Sequence, residues 1–281
     1  MAGTLYLVAT PIGNLEDITL RAIRVLKSVS LIAAEDTRRT AKLLTHLGIS
    51  TPTLSVHSHN TRSRLPRIIR VLEGGGDVAL VTDAGTPVVS DPGLEVVQTC
   101  VHLGIPVDAI PGASAPMTLG TLSGFPLAPW TIHGFPPQGS KDRTKWLSDI
   151  CNDPSTVTFF EAPHRIGRTL SDLSKICGTR PIVVGRELTK LHQTVYRGSV
   201  RDVSKMGVDE RGEFTLMLGP IENAEKSISA PSDGEILREF GLITEIGSNS
   251  RRDALKMVAD KYQISPKLVY AAIERAKLSG E

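Results

Sequence analysis

Through about residue 220, short wholly apolar runs alternate with segments whose apolar positions recur at i, i+3 and i+4. Residues 5–9, 31–34, 53–56, 78–81 and 107–110 read as buried strands, and 20–29, 40–47, 64–72 and 94–103 as the helices between them. Pro66 falls in the first turn of the third helix, where its missing N–H costs nothing. The alternation predicts a mostly parallel sheet with helices on both faces. After the Gly/Pro-rich stretch IPGASAPMTLGTLSGFPLAPW a second series begins. Its strands are predicted at 131–135, 156–160, 182–186, 194–196 and 214–218, and its helices at 143–150 and 166–176. The domains expected are therefore α/β for 1–113 and α/β for 114–221, then a polar linker over 222–235 (ENAEKSISAPSDGE) and a helical extension over 236–281.

The extension has its own pattern. Ser250, followed three residues later by Asp253, reads as a helix N-cap, and Ala254, Leu255, Val258, Ala259 and Tyr262 form one apolar stripe. Ser265-Pro266 opens a second helix, with Leu268, Val269, Ala272, Ile273 and Ala276 inward. Two short helices around YQISP are similar to a helix-turn-helix. Residues 250–281 hold seven Lys/Arg and four Asp/Glu, so this end is locally basic.

Composition narrows the class of molecule. With 40% hydrophobic and 22% charged residues the chain is expected to be an ordinary globular protein. A net charge of +2 gives no overall basic field, so any nucleic-acid site must be local. Cys100, Cys151 and Cys177 are widely spaced in helical patterns and read as reduced thiols in a cytoplasmic protein. No apolar run approaches a membrane span, and the chain enters a strand too early for a signal peptide.

The unusual residues collect after predicted strands: AEDTRRT (34–40), SVHSHNT (55–61), TDAGTPVVSDPG (82–93), IPGASAPMT (110–118), FEAPHR (160–165) and GRELTK (185–190). Ligands of open α/β sheets bind outside the carboxyl ends of strands, so these segments predict a small-molecule cleft between the two domains. Neither a phosphate loop nor a G-x-G-x-x-G helix opening occurs, and Gly74-Gly75-Gly76 precedes a strand, as a helix end does. His57, His59 and His164 lack a supporting ligand set, so no metal is expected. No Ser stands in a nucleophile-elbow setting.

Taken together, ATPIGNLEDITLRAIRVLKSV, LIAAEDTRRT, VTDAGTPVVSDPG, IPGASAPMTL, FFEAPHR, GRELTK and GEFTLMLGP resemble the tetrapyrrole methylase superfamily over about residues 4–220. More narrowly, they resemble its bacterial ribosomal RNA branch. Corrin- and porphyrin-methylating members carry a G-x-G-P-G-D loop after the first strand. Here TPIGNL (10–15) stands in its place, which implies an RNA-facing loop with Pro11 and Asn14 as contacts. The resemblance implies S-adenosylmethionine as methyl donor and the 2′-hydroxyl of a 16S rRNA cytidine, position 1402 of the decoding region, as acceptor. It also implies a homodimer.

On the same resemblance the cofactor is expected on Asp83, Ala84, Gly85, Thr86, Val88, Ser114 and Ala115 from the first domain. Phe160, Glu161, Arg186, Glu187, Glu213 and Phe214 are the candidates from the second. A base near the ribose hydroxyl would help the displacement, and Glu35, Asp36, Glu187 and Lys190 are the candidates, with no single choice among them. Arg38, Arg62, Arg64 and Arg67, with Arg251, Arg252, Lys256 and Lys267 in the tail, are the expected RNA contacts. Arg70 clusters with Arg62, Arg64 and Arg67, and Arg39, Lys141 and Arg143 would extend that patch. With 4% aromatic residues, phosphate and shape contacts should outweigh base stacking. The rival readings are a methylase of corrinoid or porphyrin precursors, and a non-catalytic RNA-binding factor retaining the fold.

Overall fold

The computed structural model describes residues 2–89, 93–221, 232–246, 250–262 and 264–279. The chain divides into two units, residues 1–221 and 222–281. The first half of the larger unit runs β1 (Leu5–Val8), α1 (Leu20–Ser28), β2 (Leu31–Ala34), α2 (Thr37–His46), β3 (Thr53–Ser55), α3 (Thr61–Glu73), β4 (Val78–Val81), α4 (Leu94–His102) and β5 (Val107–Ile110). All five strands pair in parallel, in the order β3-β2-β4-β1-β5. Both faces are covered, which is why these strands read as unbroken apolar runs. Ala22, Leu26 and Leu44 from α1 and α2 close one face over Val8, Ile32 and Val81. Ile68, Leu72, Val96 and Cys100 from α3 and α4 close the other over Leu5, Ala33 and Leu80.

Two helices here start a turn earlier than periodicity suggests. Asp36 caps α2 by accepting from the Arg38 N–H at 2.8 Å. A turn at His57, accepting from the N–H groups of Asn60 and Thr61, launches α3 at Thr61. Pro66 is thus inside α3, in place of its expected first turn.

The second half adds α5 (Ala115–Ser123), β6 (Trp130–Ile132), α6 (Ser140–Asn152), β7 (Thr156–Glu161), α7 (Ile166–Cys177), β8 (Pro181–Arg186), β9 (Thr194–Ser199), α8 (Val200–Met206) and β10 (Phe214–Leu218). Here the expectation of a mostly parallel sheet fails. The order is β6-β7-β10-β8-β9, and only the β6–β7 pair is parallel. Residues 187–193 are too few for a crossover, so β8 and β9 form an antiparallel hairpin. Helices α6, α7 and α8 pack one face through Leu147, Ile150, Leu170, Leu173 and Val203. Helix α5, hidden in the Gly/Pro-rich stretch, covers the other face. Pro116 stands in its first turn and Gly124, at φ 76°, ends it. The three cysteines are free thiols.

The smaller unit holds α9 (Asp233–Ile246), α10 (Arg251–Tyr262) and α11 (Pro266–Ser279), one helix more than the pair read from the sequence. The expected linker lies mostly outside the described residues, and α9 already begins at Asp233. Ser232 and Glu235 form a capping box; at Ser250 the hydroxyl accepts from the Asp253 N–H and donates to the Asp253 carboxylate. Ile236, Phe240, Val258, Val269 and Ile273 form the core. Leu268, expected inward, is 56% exposed, because the buried positions 269, 272, 273 and 276 leave it one step around the helix. Arg251, Arg252, Lys256 and Lys267 are exposed.

Candidate active site

The order β3-β2-β4-β1-β5 sends the chain from β1 outward to β2, and from β4 back across β1 to β5. The loops leaving β1 and β4 therefore diverge, and a crevice opens at their carboxyl ends. Thr10 and Gly85 clamp these two loops, each N–H donating to the other's carbonyl, at 2.9 and 3.0 Å. Gly85 does this at φ 82°, a conformation that favours glycine.

The second sheet presents the carboxyl ends of β7 and β8 and the start of β10 to the same crevice. A shared core of Ile12, Leu119, Val183, Leu188 and Met217 seals the junction beneath it. The two sides also touch directly. The Asn14 N–H donates to the Thr189 hydroxyl at 3.1 Å. A Cβ on Gly13 would lie 2.4 Å from Lys190 Cγ and 2.8 Å from the Leu188 carbonyl oxygen. Gly13→Ala should therefore push the β1 loop off the β8–β9 loop. We expect at least a roughly tenfold fall in whatever activity the cleft supports, with the fold retained, measured beside circular dichroism.

The resulting cleft has a volume of about 400 Å³. Its first wall is Ile12, Asp83, Ala84, Gly85, Thr86 and Val89, with Glu35 and Arg39 beside them. Ser114, Ala115 and Pro116 open α5 at its base. Phe135, Phe160, Glu161, Ala162 and Pro163 form the opposite wall, with Leu188, Glu213, Phe214 and Thr215.

The acidic side chains differ in how far they are neutralised. Glu161, 2% exposed, is held by Arg165 at 2.8 Å and Arg143 at 3.6 Å. Glu213 binds Lys190 Nζ at 3.0 Å. Glu35 and Asp83 interlock: the Asp83 N–H donates to Glu35 Oε2 at 3.2 Å, and Asp83 Oδ1 accepts from the Asp36 N–H at 3.1 Å. Their nearest cation is Arg39, 3.4 Å from Asp83. Burial, helped by the Asp83 charge, raises the Glu35 carboxyl above the usual range. The cleft thus offers an apolar floor and negative charge on one side, a fit for a ligand with an aromatic end and a cationic end.

Most of the expected cofactor contacts meet in this cleft: Asp83, Ala84, Gly85, Thr86, Ser114, Ala115, Phe160, Glu161, Glu213 and Phe214. Three do not line it. Val88 stands aside at φ 74°, and Val89 takes the place expected for it. Arg186 is turned into the loop before β10, on Asp209 at 2.8 Å and the Arg211 carbonyl at 2.7 Å. Glu187 accepts from Lys190 Nζ at 2.9 Å and from the Glu213 N–H at 2.8 Å.

Of the four candidate bases, Glu35 alone lines the cleft. Asp36 caps α2, and Arg38, bound through two nitrogens, holds its carboxyl well below the usual range. Burial works against charge at both Glu187 and Lys190, but their mutual hydrogen bond wins, lowering the first and raising the second.

The expected RNA contacts scatter. Pro11 borders a smaller side cavity, whereas Asn14 is spent on Thr189 and on capping Glu16. Arg38 is 89% exposed but paired with Asp36. Arg62, Arg64, Arg67 and Arg70 are exposed on α3, and Arg62 meets Glu95 of α4 at 3.3 Å, an acid that sequence proximity did not reveal. The segment after β3, an edge strand, lies outside the cleft. Arg143, placed in the patch from sequence, is 4% exposed and belongs to the Glu161 network. Phe135, Pro163 and Leu188 were missed as lining residues; the apolar floor between charged motifs was the available signal. Among the described residues, no group of His, Cys, Asp and Glu is arranged to hold a metal ion, and no helix is long and apolar enough to cross a membrane.

Comparison with known proteins gives the chain its relatives. A family model described as Tetrapyrrole (Corrin/Porphyrin) Methylases matches residues 4–204. A Synechocystis protein named Ribosomal RNA small subunit methyltransferase I is 38% identical over 276 residues, covering 95% of this chain and 96% of that protein. A Thermotoga maritima protein of the same name is 44% identical over 218 residues, 77% of this chain and 98% of that one. Among solved structures, uroporphyrin-III-C-methyltransferase from Thermus thermophilus matches with a TM-score of 0.55 at 22% identity, covering 77% of this chain and 94% of that one. A form complexed with S-adenyl homocysteine also gives 0.55, at 18% identity over 77% of this chain and 97% of that one. At such identities these two likenesses speak to fold.

Proposed function

We propose, from the premise that this chain belongs to the tetrapyrrole methylase family and groups with its ribosomal RNA small subunit methyltransferase I members, that it is an S-adenosylmethionine-dependent 2′-O-methyltransferase of small-subunit rRNA. Its target in this reading is the ribose of cytidine 1402 in the decoding region. The observation that carries the reading is the cleft itself: an apolar floor against Phe160 and Leu188, faced by the lightly neutralised carboxylates Glu35 and Asp83. That combination suits an adenine at one end and the sulfonium and ammonium charges at the other.

When bound, S-adenosylmethionine supplies a methyl carbon that gains a C–O bond to the ribose as its C–S bond breaks, the sulfur leaving with the bonding electrons as a neutral thioether. The chain's own part is alignment, worth several kcal/mol where the approach is in line. Glu35 accepts the hydroxyl proton; a carboxylate raised above its usual range is a better base near neutral pH. The exposed arginines of α3 and the basic residues of α10 and α11 hold RNA phosphates. Work as a homodimer in the cytoplasm completes the reading.

Labelled S-adenosylmethionine, incubated with small ribosomal subunits from cells lacking this protein, tests it. The expected product is 2′-O-methylcytidine in the decoding region, identified by mass spectrometry of the nucleosides. Transfer to a corrinoid or porphyrin precursor, with none to subunits or free rRNA, would replace it.

A further inference from the structure

Beside the cofactor cleft lies a second cavity of about 170 Å³, and Arg39 and Asp83 border both. Thr10 and Pro11 from the β1 loop bound it on one side, and Thr40 and Lys42 from α2 on another. Its framework is fixed: Thr10 pairs with Gly85 through its backbone, and its hydroxyl donates to the Thr82 carbonyl at 3.1 Å. Thr10 and Thr82 are 3% and 2% exposed, so these bonds are shielded from water.

Against that rigid side, α2 presents groups with unused capacity. Lys42 meets no carboxylate among the described residues, and the Thr40 hydroxyl meets no hydrogen-bond partner among them. Arg39 approaches Asp83 at 3.4 Å with one terminal nitrogen. Among the described residues that bound the cavity, Asp83 is the lone carboxylate, against two cations. The neighbouring Arg38 takes no part, being paired with Asp36. Two cations beside a free hydroxyl and one carboxylate is the chemistry of a phosphorylated sugar site. Cations take the phosphate oxygens, while the hydroxyl and carboxylate take sugar hydroxyls.

We propose that this cavity seats the phosphate and outer edge of the nucleotide receiving the methyl group, with Lys42 and Arg39 on its phosphate and its ribose hydroxyl reaching past the shared rim of Arg39 and Asp83 into the cofactor cleft, where Glu35 lies. This rests on the RNA methyltransferase reading above. It gives the TPIGNL loop a role that Asn14, engaged elsewhere, does not have: Thr10 and Pro11 shape the seat of the acceptor.

The test is steady-state methyl transfer to small ribosomal subunits lacking the modification, over a range of salt, with the wild type, Lys42→Ala, Lys42→Glu and a control, Lys205→Ala, whose lysine is exposed on α8. Calorimetric titration of each with S-adenosylmethionine runs in parallel. Lys42→Ala is expected to raise KM for subunits about tenfold and reduce the salt slope by about one. Lys42→Glu should raise KM further, while cofactor affinity holds in both and the control matches the wild type. Unchanged KM and slope in the Lys42 variants, with the wild type active on subunits, overturns the assignment. Loss of cofactor affinity overturns it too, since the cavity would then belong to the donor. A wild type that methylates neither subunits nor free rRNA overturns the reading beneath it, which is a separate result.

Discussion

Glu35→Gln is expected to lower kcat for methyl transfer at saturating cofactor by roughly 10²–10⁴-fold, the usual contribution of a positioned base, and to weaken cofactor binding as well, since one of the two carboxylates facing its cationic end loses its charge. The substitution keeps an oxygen to accept the Asp83 N–H, so the clamp between the β2 and β4 loops survives. What is lost is the capacity to take a proton. The pH dependence makes this specific. The base must be ionised to act, and burial raises Glu35 above the usual carboxylate range, so the wild-type rate should climb with pH through that raised value and then level off. In the variant that limb should vanish. Stability should move the other way. A carboxyl raised on folding stabilises most below its unfolded value and loses that contribution as pH rises through the folded one. At neutral pH the amide is relieved of the burial cost, and the melting temperature should hold or rise slightly. A fall in both rate and stability would mark Glu35 as structural; a normal rate would pass the proton to another acceptor or to water.

The parallel sheet was legible because both faces of β2 and β4 are covered, leaving unbroken apolar runs between amphipathic helices. Helix α5 was not, because its two ends carry Pro116 and Gly124, and its middle, Gly120, is small where it packs against Leu127 and Met217. Those residues are punctuation in a sequence but permitted helix ends and close contacts in the fold. Strand direction in the second sheet was equally hidden, since a strand's composition does not record its partner's orientation.

At the site, the loops were legible and the individual roles were not. Six of the strand-following segments were singled out, and five supply lining residues, because chain topology brings strand ends together whatever the side chains are. Roles depend on pairings across distant segments. Arg186 with Asp209, Glu187 with Lys190 and Arg143 with Glu161 are ion pairs that remove charged residues from the list of free ligands. Their residues are as polar in the sequence as Glu35 and Asp83, which the fold leaves facing the cleft.

Arg180 is the clearest case of a residue that only the fold explains, and it carries the largest expected effect on stability. It lies just before β8, at the end of the second sheet away from the cleft, and is 6% exposed. Its guanidinium donates to the carbonyls of Gly219 at 2.6 Å, Ile150 at 3.0 Å, Cys151 at 3.1 Å and Ser155 at 2.7 Å. One side chain thus ties the exit of β10 to the end of α6 and the entry to β7. Arg180→Met fills much of the space but supplies no donor, stranding four carbonyls that otherwise have a charged partner. Each buried polar group left unpaired costs about 1–3 kcal/mol. Against that, the variant escapes the cost of burying the charge, which is large enough to depress the arginine's own pKa. The balance should be a loss of about 3–5 kcal/mol, the cost of four stranded carbonyls less the desolvation recovered, and a fall in melting temperature of roughly 10 °C. Arg180→Lys should recover part of the loss, since an ammonium has three donors and no planar fork. Because Arg180 sits far from Glu35 and Asp83, KM and kcat measured well below the melting transition should match the wild type. Chemical denaturation and steady-state kinetics on the same samples decide it: loss of activity without loss of stability would show that the far end of the sheet is coupled to the cleft.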